Sequence, residues 1–144
     1  MKTVVKVNKG VLRSELDKIR DHVEMQAKDH VKRIADFAVD TTLTSKSSKG
    51  KMGAVDTGAY ITSFSISYGR GRPRGKSSHR KPRNNPDLVG LGEVARADLY
   101  SDISKIDFFD TSKVSLRNNS PHAELVEYKH GYYIFAKIER EFNG

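Results

Sequence analysis

The sequence predicts one α+β domain, and three observations carry that expectation. Between Val11 and Thr42, apolar residues recur at three- and four-residue steps, which is the period of one face of an α-helix. Phe64, Ile66 and Tyr68, and later Val114 and Leu116, alternate with polar residues at the period of a half-buried strand. Finally, Val114 to Gly131, VSLRNNSPHAELVEYKHG, reads as a strand, a polar turn and a short helix closed by glycine, an arrangement that fixes two elements against each other. A chain of 144 residues suffices for one core and is too short for two comfortable ones, so 1–144 is read as a single domain.

The long helix rests on Leu12, Leu16, Ile19, Val23, Ala27, Val31, Ile34 and Ala38, with charged residues filling its other face. It would measure about 45 Å at 1.5 Å per residue, more than a domain of this size needs. Two arrangements stay open: a helix that projects and packs against a neighbouring subunit, or a bent one wrapped on its own sheet. Before it, Val4, Val5 and Val7 suit a short strand. His22 and His30 lie on the helix without a third ligand at metal spacing, and are expected at its surface.

Residues 44–53, TSKSSKGKMG, have almost nothing to bury and are expected to form a mobile connection. Asp56 or Thr57 then suits a cap for a turn over Ala59 to Phe64, passing into a strand around Ser63. Asp87 to Ile106 resumes a helical stripe through Leu88, Leu91, Val94 or Ala95, Leu99, Ile103 and Ile106, weakened at its start by Gly90 and Gly92. In the stretch that follows the second strand, Ser120 suits a cap, Pro121 the first helical position and Glu124 the positive helix end. Ala123, Leu125, Val126 and Tyr128 would supply the apolar face, and Gly131 the left-handed close. Beyond it, helical and strand periods both fit Tyr132 to Ile138. A terminal helix is the favoured reading, and the aromatics Tyr132, Tyr133 and Phe135 suit an interface.

Charge is distributed unevenly. The net charge is +8, yet residues 1–45 carry a net +2, 46–83 a net +9 and 84–144 a net −3. The excess lies mainly in Gly69 to Pro86, GRGRPRGKSSHRKPRNNP, where Arg70, Arg72, Arg74, Lys76, Arg80, Lys81 and Arg83 stand without a single acid. Gly and Pro interrupt regular structure there and the like charges repel, so an extended mobile loop is expected. Such a loop could order in an acidic groove of a protein partner, contact a phosphate backbone, or serve only to solubilise. With no aromatic inside the run, base stacking is not suggested. The segment also lacks the GxxxxGK spacing and the strand-to-helix setting of a phosphate-binding loop.

Catalysis finds little support. The chain has no cysteine, which removes disulfides, thiolate metal sites and thiol nucleophiles and fits a soluble protein of a reducing compartment. No run approaches the roughly 20 apolar residues of a membrane span, and the N-terminus lacks the apolar core of a secretion signal. HExxH, HxH with a nearby carboxylate, and a nucleophile-elbow serine are all missing. Asp56-Thr57-Gly58 has the composition of an aspartic-protease triplet, but that chemistry needs two carboxylates sharing a proton. His122 with Glu124 flanks a helix start, and Glu127 with His130 reads as polar surface. No enzyme activity, metal or cofactor is therefore expected.

Two short motifs suggest a family. Val55-Asp56-Thr57-Gly58 followed by Ser63-Phe64, and then Val114, Asn118, His122-Ala123, Val126-Glu127 and Gly131, resemble the neck or tail-completion (head–tail joining) proteins of tailed bacteriophages. Their usual patterns are "DTG...L..S" and "V.N...YA..VE.G". Tyr60 lies near the family's basic or leucine position, Ser63 matches its serine and His122 stands where tyrosine is common. Tyr128-Lys129-His130 lengthens the approach to the glycine, and the residues after Gly131 lack the common proline-rich approach to a last helix.

The resemblance implies a long N-terminal helix packed across a small curved antiparallel sheet, to which the residues themselves add further short helices and the long basic loop 69–86. It implies a structural virion protein at the head–tail junction, assembled in the host cytoplasm as a ring of this chain. Roughly six or twelve copies suit a symmetric neck. The ring would join portal or connector to tail proteins around an axial DNA channel, with no membrane. The basic loop would meet either those proteins or the DNA. The competing expectation is a free-standing nucleic-acid-binding protein acting through residues 69–86.

Overall fold

The computed structural model describes residues 9–50, 59–68, 88–108, 113–121 and 123–143. The expected strand at Val4 to Val7, the caps at Asp56 and Thr57 and the basic segment lie outside them. Helix α1 runs Lys9–Thr44, a 3₁₀ turn Ile61–Ser63 leads into strand β1, Phe64–Tyr68, and helix α2 spans Leu88–Ser104. Strand β2, Val114–Asn118, a π-helical turn, Leu125–Lys129, and helix α3, Ile134–Asn143, complete the order.

Helix α1 has 36 residues, about 54 Å at the standard rise. Its main partners are α2 and α3, while α2 in turn packs on β1 and the 3₁₀ turn. The expected curved sheet beneath the long helix is overturned. Among the described residues β1 and β2 form a two-stranded antiparallel pair, Phe64 opposite Asn118 through Tyr68 opposite Val114. Helix α2 takes the place that further strands would fill: its Asp102 carboxylate accepts the outward N–H of Ile66 at 3.0 Å, closing the other edge of β1 with a side chain.

The core sits between these layers. Ala35, Ala38 and Val39 of α1 meet Leu91, Ala95, Leu99 and Ile103 of α2, with Ile61, Phe64 and Ile66 beneath and Ile134 and Ile138 of α3 at the side. The small residues on α1 let α2 come close. A Cβ at Gly92 would stand 3.0 Å from Leu43 Cδ1 and 3.8 Å from Val39 Cγ1, so a glycine that weakens the helix start also serves the crossing. Across the same interface Arg96 reaches Asp36 at 3.1 Å and Asp40 at 2.7 Å, and the Tyr100 hydroxyl donates to Asp36 at 2.7 Å.

Local differences from the sequence reading have physical causes. β1 is buried on both faces, including Ser65 and Ser67, because β2, α2 and the terminal helix enclose it. The connection after α1 is anchored where it is described: Ser45 is buried, and the Ser48 N–H donates to the His130 carbonyl at 2.9 Å. The short helix before Gly131 is wound wide, with the His130 N–H returning to the Leu125 carbonyl at 2.8 Å. Leu125 and Tyr128 consequently face outward, while Ala123 and Val126 pack on the core.

Candidate functional site

The 3₁₀ turn, the end of β2, the π-helical turn and the start of α3 converge on one polar knot. Asn118 ends β2 and spans the gap to the 3₁₀ turn: its Nδ2 donates to the Tyr60 carbonyl at 2.8 Å and its Oδ1 accepts the Ser120 N–H at 3.0 Å. Beside it the Asn119 N–H donates to the Ser63 carbonyl at 3.1 Å, and the Ser63 hydroxyl donates to the Ala59 carbonyl. An asparagine amide can donate and accept at once, which suits a residue that must satisfy a strand end and a turn together.

Glu127 is the centre of the other half. It is 7% exposed, and its two carboxylate oxygens accept the N–H groups of Phe135 at 3.2 Å and Ala136 at 3.3 Å. Those amides belong to the first turn of α3, where N–H groups lack helical partners and the helix dipole favours negative charge. The expectation of a polar surface residue is therefore corrected: Glu127 is an internal cap for the next helix. A carboxylate eight residues before Phe135, with Gly131 between them to reverse the chain, was the available signal.

Gly131 makes that reversal possible. Its φ is +68°, and a Cβ there would lie 2.9 Å from Ser48 Cβ and 3.3 Å from the Ser48 backbone nitrogen. Tyr133 follows with φ +52°, its N–H donating to the Glu127 carbonyl at 3.2 Å. Tyr60 lies under the knot with its hydroxyl buried and lacking a hydrogen-bond partner among the described residues. Burial, and after it the negative charge of Glu127, pushes that hydroxyl well above the usual tyrosine range. It remains a protonated phenol at physiological pH.

Of the aromatics singled out for an interface, Tyr132 is a core residue and Phe135 packs its ring 5.9 Å from Phe64. Tyr133 is exposed, and together with Tyr128 it forms an outward pair with centroids 6.5 Å apart. Ala123 is half-buried against the core. Asp56, Thr57, Gly58, His122 and the seven basic residues Arg70, Arg72, Arg74, Lys76, Arg80, Lys81 and Arg83 lie outside the described residues. The structure thus brings Ser63, Asn118, Ala123, Glu127 and Gly131 into one neighbourhood, and gives each described polar member a partner.

What this arrangement can do chemically is hold backbone. Its one carboxylate is committed to two amides, and its phenol is held neutral. Among the described residues no group of three or more metal-ligating side chains is placed to hold an ion. No described helix is long and apolar enough to cross a membrane. Comparison with known protein families, curated proteins and solved structures gives no match.

Proposed function

We propose that this chain is a structural protein of a tailed-bacteriophage head–tail junction. Copies assemble as a ring that links the portal or connector to the tail around the DNA channel. The observation that carries the reading is the use made of the motif residues. Ser63, Asn118, Glu127 and Gly131 spend their polar groups and their backbone freedom on joining β2, the 3₁₀ turn and α3. Residues that hold a shape suit a protein whose work is mechanical. A reconstruction of the neck of the particle encoded beside this gene tests the proposal. The expected result is a ring of this chain between portal and tail; its absence from purified virions overturns the reading.

The basic segment supports a second reading, in which the free chain binds nucleic acid through Gly69 to Pro86. Seven positive charges without an acid there could neutralise phosphates and release counterions. This reading expects the isolated chain to bind DNA or RNA with log affinity falling by about 0.9 per phosphate contact per log unit of salt. Replacing the seven basic residues by serine should abolish that binding. A salt-insensitive or undetectable interaction with the intact chain removes this alternative.

A further inference from the structure

At 3.6 residues per turn, Leu16, Ile19, Val23 and His30 share the face of α1 that also carries Phe37. Helix α3 covers one end of that face: the Phe142 ring meets His30 edge-on at 5.8 Å and Phe37 at 5.6 Å. The face then runs on without cover from any described element, and Leu16, Ile19 and Val23 are 56%, 59% and 46% exposed. One apolar stripe is thus half covered by its own chain and half left open. We infer that the open half, residues 13–29, is where a second copy of this chain docks, with the two helices parallel and in register.

Charge identifies the occupant. Residues 13–29 hold four basic side chains (Arg13, Lys18, Arg20, Lys28) and five acidic ones (Glu15, Asp17, Asp21, Glu24, Asp29), in a chain whose net charge is +8. This arm has no excess of charge to attract a nucleic acid or an acidic protein, and none to repel its own copy. The steps of three and four between Leu16, Ile19 and Val23 are those of a two-helix seam, with Glu15 and Arg20 flanking it on opposite sides.

The same flanks decide direction. In a parallel, in-register pair, Glu15 of each copy faces Arg20 of the other, so two opposite-charge contacts form. In an antiparallel pair the like sides meet: the register that sets Glu15 against Asp29 also sets Arg20 against Arg20 of the other copy, and the register one heptad away sets Arg13 against Arg20. Within the helix Glu15 lies 3.6 Å from Lys18 and Arg20 lies 3.5 Å from Glu24. Both are exposed contacts of the weak kind, which a charge on a neighbouring helix can share. The seam ends near His30, where α3 takes over the face. A parallel in-register pair is a closed two-fold contact and does not by itself build a ring, so the inference rests on α1 alone.

The chain has no cysteine, so single cysteines report the arrangement directly. Full-length Leu16→Cys and Val23→Cys variants would be mixed and oxidised. A parallel pair gives 16–16 and 23–23 links, because equivalent seam positions come within disulfide reach. In parallel, sedimentation of the intact chain should show self-association that Leu16→Asp/Ile19→Asp abolishes while helix content by circular dichroism stays unchanged. Glu15→Arg or Arg20→Glu alone should weaken association about five-fold, and the double exchange should restore it. Exclusive 16–23 links, no links despite association, or a monomer at every concentration would each overturn the inference. A chain that pairs this way but is missing from virions would refute only the neck reading, and a neck ring with these helices apart would refute only this one.

Discussion

The two ends of the molecule treat their side chains in opposite ways. Around the knot, polar groups point inward: Glu127, Asp102 and Ser65 are all buried, and each has a hydrogen-bond partner. Along the first half of α1, apolar groups point outward, with Leu16, Ile19, Val23 and Met25 all exposed. Removing one partner of a buried hydrogen-bonded group leaves the other unsatisfied, so substitutions at Glu127 and the residues paired with it should be costly. An exposed helix face makes few contacts within its own chain, so the arm should tolerate substitutions and reveal its role only when copies meet. Stability is concentrated at one end and association at the other.

The largest effect is expected at Glu127. Glu127→Ala removes the charged acceptor shared by the part-buried Phe135 and Ala136 N–H groups and should cost about 3 kcal/mol in urea denaturation. Glu127→Gln keeps one acceptor and should cost about 1 kcal/mol, separating the lost hydrogen bond from the lost charge at the helix end. Equal losses for both variants would mean that the charge alone does the capping.

Glu127 also marks where sequence reasoning stopped. The long helix, the turn into β1 at Ser63, the α2 stripe and the terminal helix were legible because each carries its own local period or punctuation. Glu127 meets Phe135 and Ala136 only because Gly131 reverses the chain between them, and that signal is a spacing across a turn rather than a period. The two-stranded sheet had the same obstacle: Asp102 closes the edge of β1 from 36 residues away, and nothing in its local sequence separates it from a solvated helix residue. The π-helical turn spans five residues, too few for a wide winding to differ in pattern from an ordinary helix. Leu125 and Tyr128 were thereby placed on the wrong face, whereas Gly131 could be read correctly because a helix-ending glycine is a local signal.

Gly131 and Gly92 sharpen the contrast between a fixed site and an adjustable one. Gly131→Ala combines a positive φ with backbone and Cβ atoms of Ser48 in the way, and should cost about 2 kcal/mol. At Gly92 the nearest obstacle is the end of a half-buried leucine side chain, and alanine also favours the helix. Gly92→Ala should therefore stay within about 0.5 kcal/mol of the parent. Paired thermal melts would check the difference.

Tyr60 tests whether the knot holds a polar group it does not need. With no partner for the hydroxyl among the described residues, Tyr60→Phe should stabilise the fold by about 1 kcal/mol at neutral pH. Its titration adds a second signature. The folded chain retains the phenolic proton above the ordinary value of 10.0, so its titration leaves stability unchanged below that pH and lowers it as pH rises toward the folded-state value. One such group gives a slope of about 1.4 kcal/mol per pH unit on the alkaline side. Tyr60→Phe should flatten that limb; an unchanged slope would assign it to other groups, Tyr100 among them, whose hydroxyl is raised by burial and by its bond to Asp36.

The smallest effect is expected on the arm. Leu16→Ser or Ile19→Ser removes a side chain more than half exposed, so at protein concentrations where the chain is single its stability should change by less than about 0.5 kcal/mol. Concentration supplies the contrast. If copies dock through this face, the parent melts at a higher temperature as its concentration rises, because association draws on the folded state alone. The serine variants should lose that dependence while matching the parent at high dilution. A loss above about 1 kcal/mol at high dilution would show that Leu16 and Ile19 already support their own domain, and the opposition between a stabilising end and an associating end would no longer hold.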